Sequence, residues 1–71
     1  MSKKVLIYGK GAWPFTQSAR SAYGDRAEYF DITRDRNKYK EMLSHSGGKS
    51  QVPVIVEGDK VTIGHGGSWA A

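Results

Sequence analysis

The residues best placed to do chemistry in this chain form a turn without a nucleophile. Lys10-Gly11-Ala12-Trp13-Pro14-Phe15-Thr16 follows directly on the apolar run Val5-Leu6-Ile7-Tyr8 and leads into a helical stretch. Thr16 offers a hydroxyl, but it lacks the acidity and softness of a thiol and has no base paired with it, so it does not attack a disulfide usefully. The chain contains no cysteine, which rules out dithiol chemistry and any disulfide or cysteine–metal staple. His45 and His65 are too few, without cysteine company, to argue a metal site, and no metal is expected. What stands out is a bulky indole, Trp13, at a strand-to-helix turn.

The elements that must hold this turn follow from periodicity. Lys3–Gly9 reads as a strand whose four consecutive apolar residues suit burial on both faces, as in a central strand covered by helices. Pro14 is a good first helical residue, Phe15, Ala19, Ala22 and Tyr23 give an apolar face, and Gly24 caps the end. Ala27–Ile32 is a second strand with Tyr29 and Phe30 as its bulk. Thr33 is a candidate N-cap with Asp35 in the first turn, Tyr39, Met42 and Leu43 repeat at helical spacing, and Ser46-Gly47-Gly48 ends this helix. Val52–Glu57 is a third strand with a proline near its start, Gly58-Asp59 sits where a hairpin turn belongs, and Lys60–Ile63 is a fourth strand broken by Gly64-His65-Gly66-Gly67. The order β-α-β-α-β-β predicts an α/β protein: two βα units with parallel strands, a terminal hairpin, and helices on both faces of a four-stranded mixed sheet.

Seventy-one residues make one domain, residues 1–71, with a modest buried fraction and marginal stability. The 38% apolar content is low for a globular domain but above that of a disordered chain. Four apolar residues near the N-terminus are too few for a signal peptide or a membrane span, so the default is a soluble, cytoplasmic protein with no membrane partner. The net charge of +4 comes from scattered cations. Arg34, Arg36, Lys38 and Lys40 alternate at a spacing of two, which on a helix spreads them around the cylinder. No aromatics interleave with a basic face, so a solvated surface is expected rather than a nucleic-acid platform.

Taken together, the motifs resemble a glutaredoxin, of the thioredoxin-like fold, over nearly the whole chain. Lys10 stands three residues before the first active-site position, and Trp13-Pro14-Phe15-Thr16 occupies the Cys-Pro-Phe/Tyr-Cys slot. Ser46-Gly47 with Gln51-Val52-Pro53 matches the Ser-Gly…Thr-Val-Pro segment, and Ile63-Gly64 with Gly66-Gly67 resembles the Ile-Gly-Gly segment after the last strand. The resemblance implies that Trp13 holds the nucleophile's position and Thr16 that of the second cysteine. It implies that Lys10 lies near an anion seated at the helix start, where unpaired N–H groups and the dipole favour negative charge. It implies a cis Pro53 that turns the Val52 backbone toward the site, and a carboxylate-binding loop of Gly66, Gly67 and Ser68. Phe15 joins the substrate-binding set. Glutathione is the implied co-substrate, with glutathione or a disulfide-containing protein as partner and a homodimer possible. Each residue also has a plainer reading: Lys10 as solvated surface, Phe15 as helix-face core, Pro53 as a strand start, Gly66 and Gly67 as turn residues, Trp13 and Trp69 as packing.

Three departures matter. Both redox positions lack sulfur. The third helix that usually closes the fold is missing or very short, which should leave apolar surface exposed unless Trp69 or another molecule covers it. His65 interrupts the glycine segment, leaving the register of the carboxylate loop open. The tryptophan codon UGG is one base from UGA, which encodes selenocysteine, and small glutaredoxin-like selenoproteins carry selenocysteine at the first motif position. The expectation is a glutaredoxin-like thiol/selenol–disulfide oxidoreductase for redox homeostasis, inactive with Trp13 and Thr16 in place. The alternative is a redox-inactive module that binds glutathione or peptides. A polyanion binder, argued only from charge, ranks far behind both.

Overall fold

In the computed structural model, which describes residues 4–11 and 13–70, strand β1 (Val5–Gly9) lies inside the sheet and is buried on both faces. Its alternation sends Val5 and Ile7 to one side, and Leu6 and Tyr8 to the other. β2 (Ala27–Asp31) pairs parallel to β1, from Val5 opposite Ala27 to Gly9 opposite Asp31. On the other side of β1, β4 (Val54–Glu57) runs antiparallel with Tyr8 opposite Val54, and the edge strand β5 (Lys60–Ile63) returns through the Gly58-Asp59 turn. The order across the sheet is β2-β1-β4-β5, the mixed sheet expected.

One helix covers each face. α1 (Pro14–Tyr23) lays Ala19 over Val5, Ile7 and Ile55, with Tyr23, Ala27 and Tyr29 around them. α2 (Arg36–Ser46) lays Met42 among Tyr8, Ile32, Val52, Val54 and Val56, flanked by Tyr39 and Leu43. Gly47, at φ 71°, ends α2 in the left-handed conformation that a side chain would disfavour.

Several expectations are corrected. Ala22 is exposed, and the buried positions of α1 are Thr16 and Ala19, because only that side of the helix meets the sheet. The N-cap of α2 is Asp35, whose carboxylate accepts the Asn37 N–H at 2.9 Å, not Thr33. Thr33 is held instead by Asp31, whose carboxylate accepts from its N–H at 2.9 Å and its hydroxyl at 2.5 Å, so the helix opens two residues later. The third strand is split at Pro53, which has no N–H to give a ladder. Its first part, β3 (Gln51–Val52), leaves the main sheet and pairs antiparallel with an unforeseen strand, β6 (Trp69–Ala70), placing Val52 opposite Trp69. Because α2 starts at Arg36, Arg34 lies off the helix. It joins Arg36 and Lys40, one turn apart, around an open groove floored by Ile32, Tyr39 and Leu43, so these three cations are less dispersed than their spacing implies.

No third helix follows β5 among the described residues. Among the described residues the exposed large hydrophobic ones are Val61, at 38%, and Trp69, at 47%, while Val5, Ile7 and Ile55 beneath α1 are at most 1% exposed, so these three are covered without a third helix.

Tyr8 ties α2 to the sheet. Its hydroxyl donates to Glu41 Oε1 at 3.1 Å, and its ring packs on Phe30 and His45 at 5.3 and 5.7 Å between centroids. Burial first, then the hydrogen bond to Glu41 and the Glu41 charge, pushes the phenol up from 10.0 to about 12. The folded protein thus holds this proton more tightly than the unfolded chain does. That stabilisation is complete below pH 10 and is lost as the pH rises through about 12. Tyr8→Phe keeps the ring and removes the proton, so the urea midpoint should fall less in the variant than in the parent between about pH 9 and about pH 11.5. Equal falls in the two proteins would show that Tyr8 does not control the alkaline limb.

Candidate functional site

The turn after β1 is fixed at each end. Trp13 N–H donates to Lys10 O at 3.2 Å, and Gln17 N–H donates to Trp13 O at 3.0 Å, opening α1 behind Pro14. The Gln17 side chain reaches back to the Gly11 carbonyl. Residue 13 has extended backbone angles, φ −80° and ψ 139°, so its side chain leaves the chain where the helical N–H groups are still unpaired.

Asp31 stands beside the turn on the neighbouring strand. Its carboxyl titrates below the usual carboxylate range. The Thr33 hydroxyl contributes most to this, with burial opposing and the N–H groups of Thr33 and Gly11 and the Arg34 cation assisting. Arg34 Nε lies 3.8 Å from the carboxylate. Asp31 was not among the candidate residues. Its signal is positional, since it stands at the C-terminal end of β2 beside Gly9, the end at which parallel strands deliver their sites.

The structure brings most, but not all, of the candidates together. Lys10 Nζ lies 4.5 Å from the Trp13 ring centroid. Phe15 is half-buried and presses on Gly67, where a Cβ would come within 2.4 Å of Phe15 Cζ. Val52 and Pro53 are buried, the bond between them is cis, and Pro53 O accepts Gly64 N–H at 2.7 Å. Gly66 and Ser68 are exposed, while the Gly67 carbonyl is taken by His65 N–H at 2.9 Å. His65 does not leave the loop loose: Nδ1 lies 3.1 Å from Ser18 Oγ and the ring stands edge-on to Tyr23, joining the loop to α1. Among the described residues, no group of three His, Cys, Asp or Glu converges as metal ligands would.

Thr16 is the candidate that points elsewhere. It is fully buried and has no hydrogen-bond partner for its hydroxyl among the described residues. It packs onto the end of β1, where a Cβ on Gly9 would lie 2.7 Å from Thr16 Oγ1 and 2.8 Å from Cγ2. Conversely, Trp69 joins the site. Its ring meets Trp13 edge-on at 5.3 Å and Phe15 at 5.9 Å, and Trp13, Pro14 and Trp69 line a small cleft of about 150 Å³.

A side chain at position 13 therefore has a helix N-terminus behind it and a lysine beside it, a setting that favours an anion. The indole present there supplies none.

No protein-family model and no curated protein matches the sequence. Among solved structures, the chain is similar to a crystal structure of a glutaredoxin from Archaeoglobus fulgidus, at 26% identity and a TM-score of 0.68, over 89% of this chain and 76% of that one. A four-stranded mixed sheet in the order β2-β1-β4-β5 with a helix on each face is the thioredoxin class of fold. Within that class the chain is glutaredoxin-like.

The approach of Thr16 to Gly9 makes a testable demand. Gly9→Ala should cost about 1–3 kcal/mol through overpacking, and adding Thr16→Ala should recover part of that loss, a coupling measurable by urea denaturation of the double-mutant cycle. Strictly additive effects would show that the contact does not set the turn.

Proposed function

We propose that the chain is a glutaredoxin-like disulfide oxidoreductase whose nucleophile sits at position 13, as selenocysteine in the natural protein, and that the form with Trp13 is redox-inactive. The observation that carries this reading is an intact surround without its reacting atom. Lys10 lies over the residue 13 ring, α1 starts behind it and Trp13 packs against the core cluster that holds Val52, while Thr16 is turned into the core.

In this mechanism a selenolate at position 13, more acidic than a thiol and ionised at neutral pH, attacks the glutathione sulfur of a mixed disulfide. A Se–S bond forms, the S–S bond breaks, and the other thiolate leaves and takes a proton. A second glutathione thiolate then attacks the selenenyl-sulfide sulfur, releasing glutathione disulfide and restoring the selenolate. Lys10 and the helix start stabilise the anion. Val52–Pro53, Phe15 and the loop of Gly66, Gly67 and Ser68 hold the tripeptide. Thr16 cannot resolve the intermediate, so the cycle uses one reactive residue. A reducing cytoplasm that maintains glutathione suits this role. No helix among the described residues is long and apolar enough to cross a membrane.

Trp13→Cys supplies a sulfur in the same seat. It should reduce a glutathione mixed disulfide under conditions where the parent and Trp13→Ser show no turnover above buffer, and codon 13 of the native gene should read UGA. A silent cysteine variant together with a UGG codon would overturn the proposal. In that case the edge-on Trp13–Trp69 pair favours the second reading, a binding module with an aromatic platform for glutathione or a peptide.

A further inference from the structure

The edge of β3 next to residue 13 is where an extended ligand backbone would pair, and in this protein it is already occupied. β6 lies antiparallel on β3, with Trp69 opposite Val52 and Ala70 opposite Gln51. The Trp69 ring reaches Trp13 and Phe15 at 5.3 and 5.9 Å. We propose that Trp69 and Ala70 are an internal ligand of the groove: they pair with β3 as an extended peptide would, seat an aromatic side chain over residue 13, and must leave for an external ligand to enter.

The way the segment is held supports this. The loop before it is fixed, through Gly64 N–H on Pro53 O, His65 N–H on Gly67 O, His65 on Ser18, and Gly67 against Phe15. Beyond Gly67 the grip weakens abruptly. Ser68, Trp69 and Ala70 are all exposed, the strand is two residues long, and Trp69 is still 47% exposed despite its ring contacts. A two-residue ladder opens at little cost, whereas the loop keeps the segment at high local concentration over the groove. The occupant this selects is an extended peptide that adds to β3 by backbone pairing and places a bulky aromatic or apolar side chain opposite Val52. Specificity comes from the rings of Trp13 and Phe15, which Trp69 now meets. The proposal rests on the groove assigned above, but not on its redox chemistry.

Because the parent chain has no cysteine, the segment can be locked in place. Gln51→Cys with Ala70→Cys puts two cysteines on directly opposed positions of the β3–β6 pair, within reach of a cross-strand disulfide. The probe is a fluorescein-labelled, end-capped peptide with the sequence of residues 66–70, followed by anisotropy. The reduced double variant should bind it and the oxidised one should not, while Trp69→Ala in the full chain should bind at least about tenfold tighter than the parent and Trp69→Phe close to the parent. Equal binding by the oxidised and reduced forms, equal binding by Trp69→Ala and the parent, or no binding by any variant would each overturn the proposal. Folding of every variant is checked by the urea midpoint. Turnover of Trp13→Cys is measured separately, so a failure of the redox assignment leaves this result readable, and the reverse.

Discussion

The site depends on an approach that only glycine permits. Thr16 sits so close to the end of β1 that a Cβ on Gly9 would overlap both its Oγ1 and its Cγ2. That contact draws the first turn of α1 down onto the strand end, which fixes where the helix begins and where residue 13 leaves the chain. Thr16 serves as a packing residue, fully buried against the end of β1. The parallel pairing of β1 with β2 brings Asp31 beside Gly11 at the same end of the sheet.

The aromatic cluster is the other organising feature. Trp13, Phe15 and Trp69 come from the turn, the helix and β6, and their rings meet at 5.3 and 5.9 Å. Aromatic pairs of this kind contribute roughly 0.5–1.5 kcal/mol each beyond their buried area. That is a small sum for holding a two-residue strand, and it ties the conformation of β6 to the identity of residue 13. A small side chain at position 13 removes one of the two rings that hold Trp69, so the occupied groove and the tryptophan at the nucleophile's seat are physically linked.

Much of this protein was legible in its sequence, because its elements carry their own periodicity. β1 is a run of apolar residues, α1 starts at Pro14, α2 ends at Gly47, and the β4–β5 turn sits at Gly58-Asp59. Each is decided by residues within a few positions of one another. Two βα units and a hairpin leave few ways to build a sheet, so a mixed sheet with a helix on each face follows from local signals. The spacing of Lys10, Trp13-Pro14-Phe15-Thr16, Val52-Pro53 and the glycine segment likewise marked residues that the fold brings near the turn, with Thr16 facing inward instead.

Tertiary structure decided what depends on contacts between distant residues. Thr16 rather than Ala22 is buried because the sheet meets only one side of α1. Asp35 rather than Thr33 caps α2 because Asp31 has claimed Thr33. Asp31 comes to lie beside Gly11, 20 positions earlier in the chain, only through the β1–β2 pairing. β6 could not be foreseen because two residues have no period, and their strand exists only where β3 offers an open edge and Trp13 and Phe15 offer rings. The sequence by itself determined the framework and where the turn after β1 meets the helix start. Whether that turn is open or covered was set by backbone pairing and ring contacts that form only after the chain has folded.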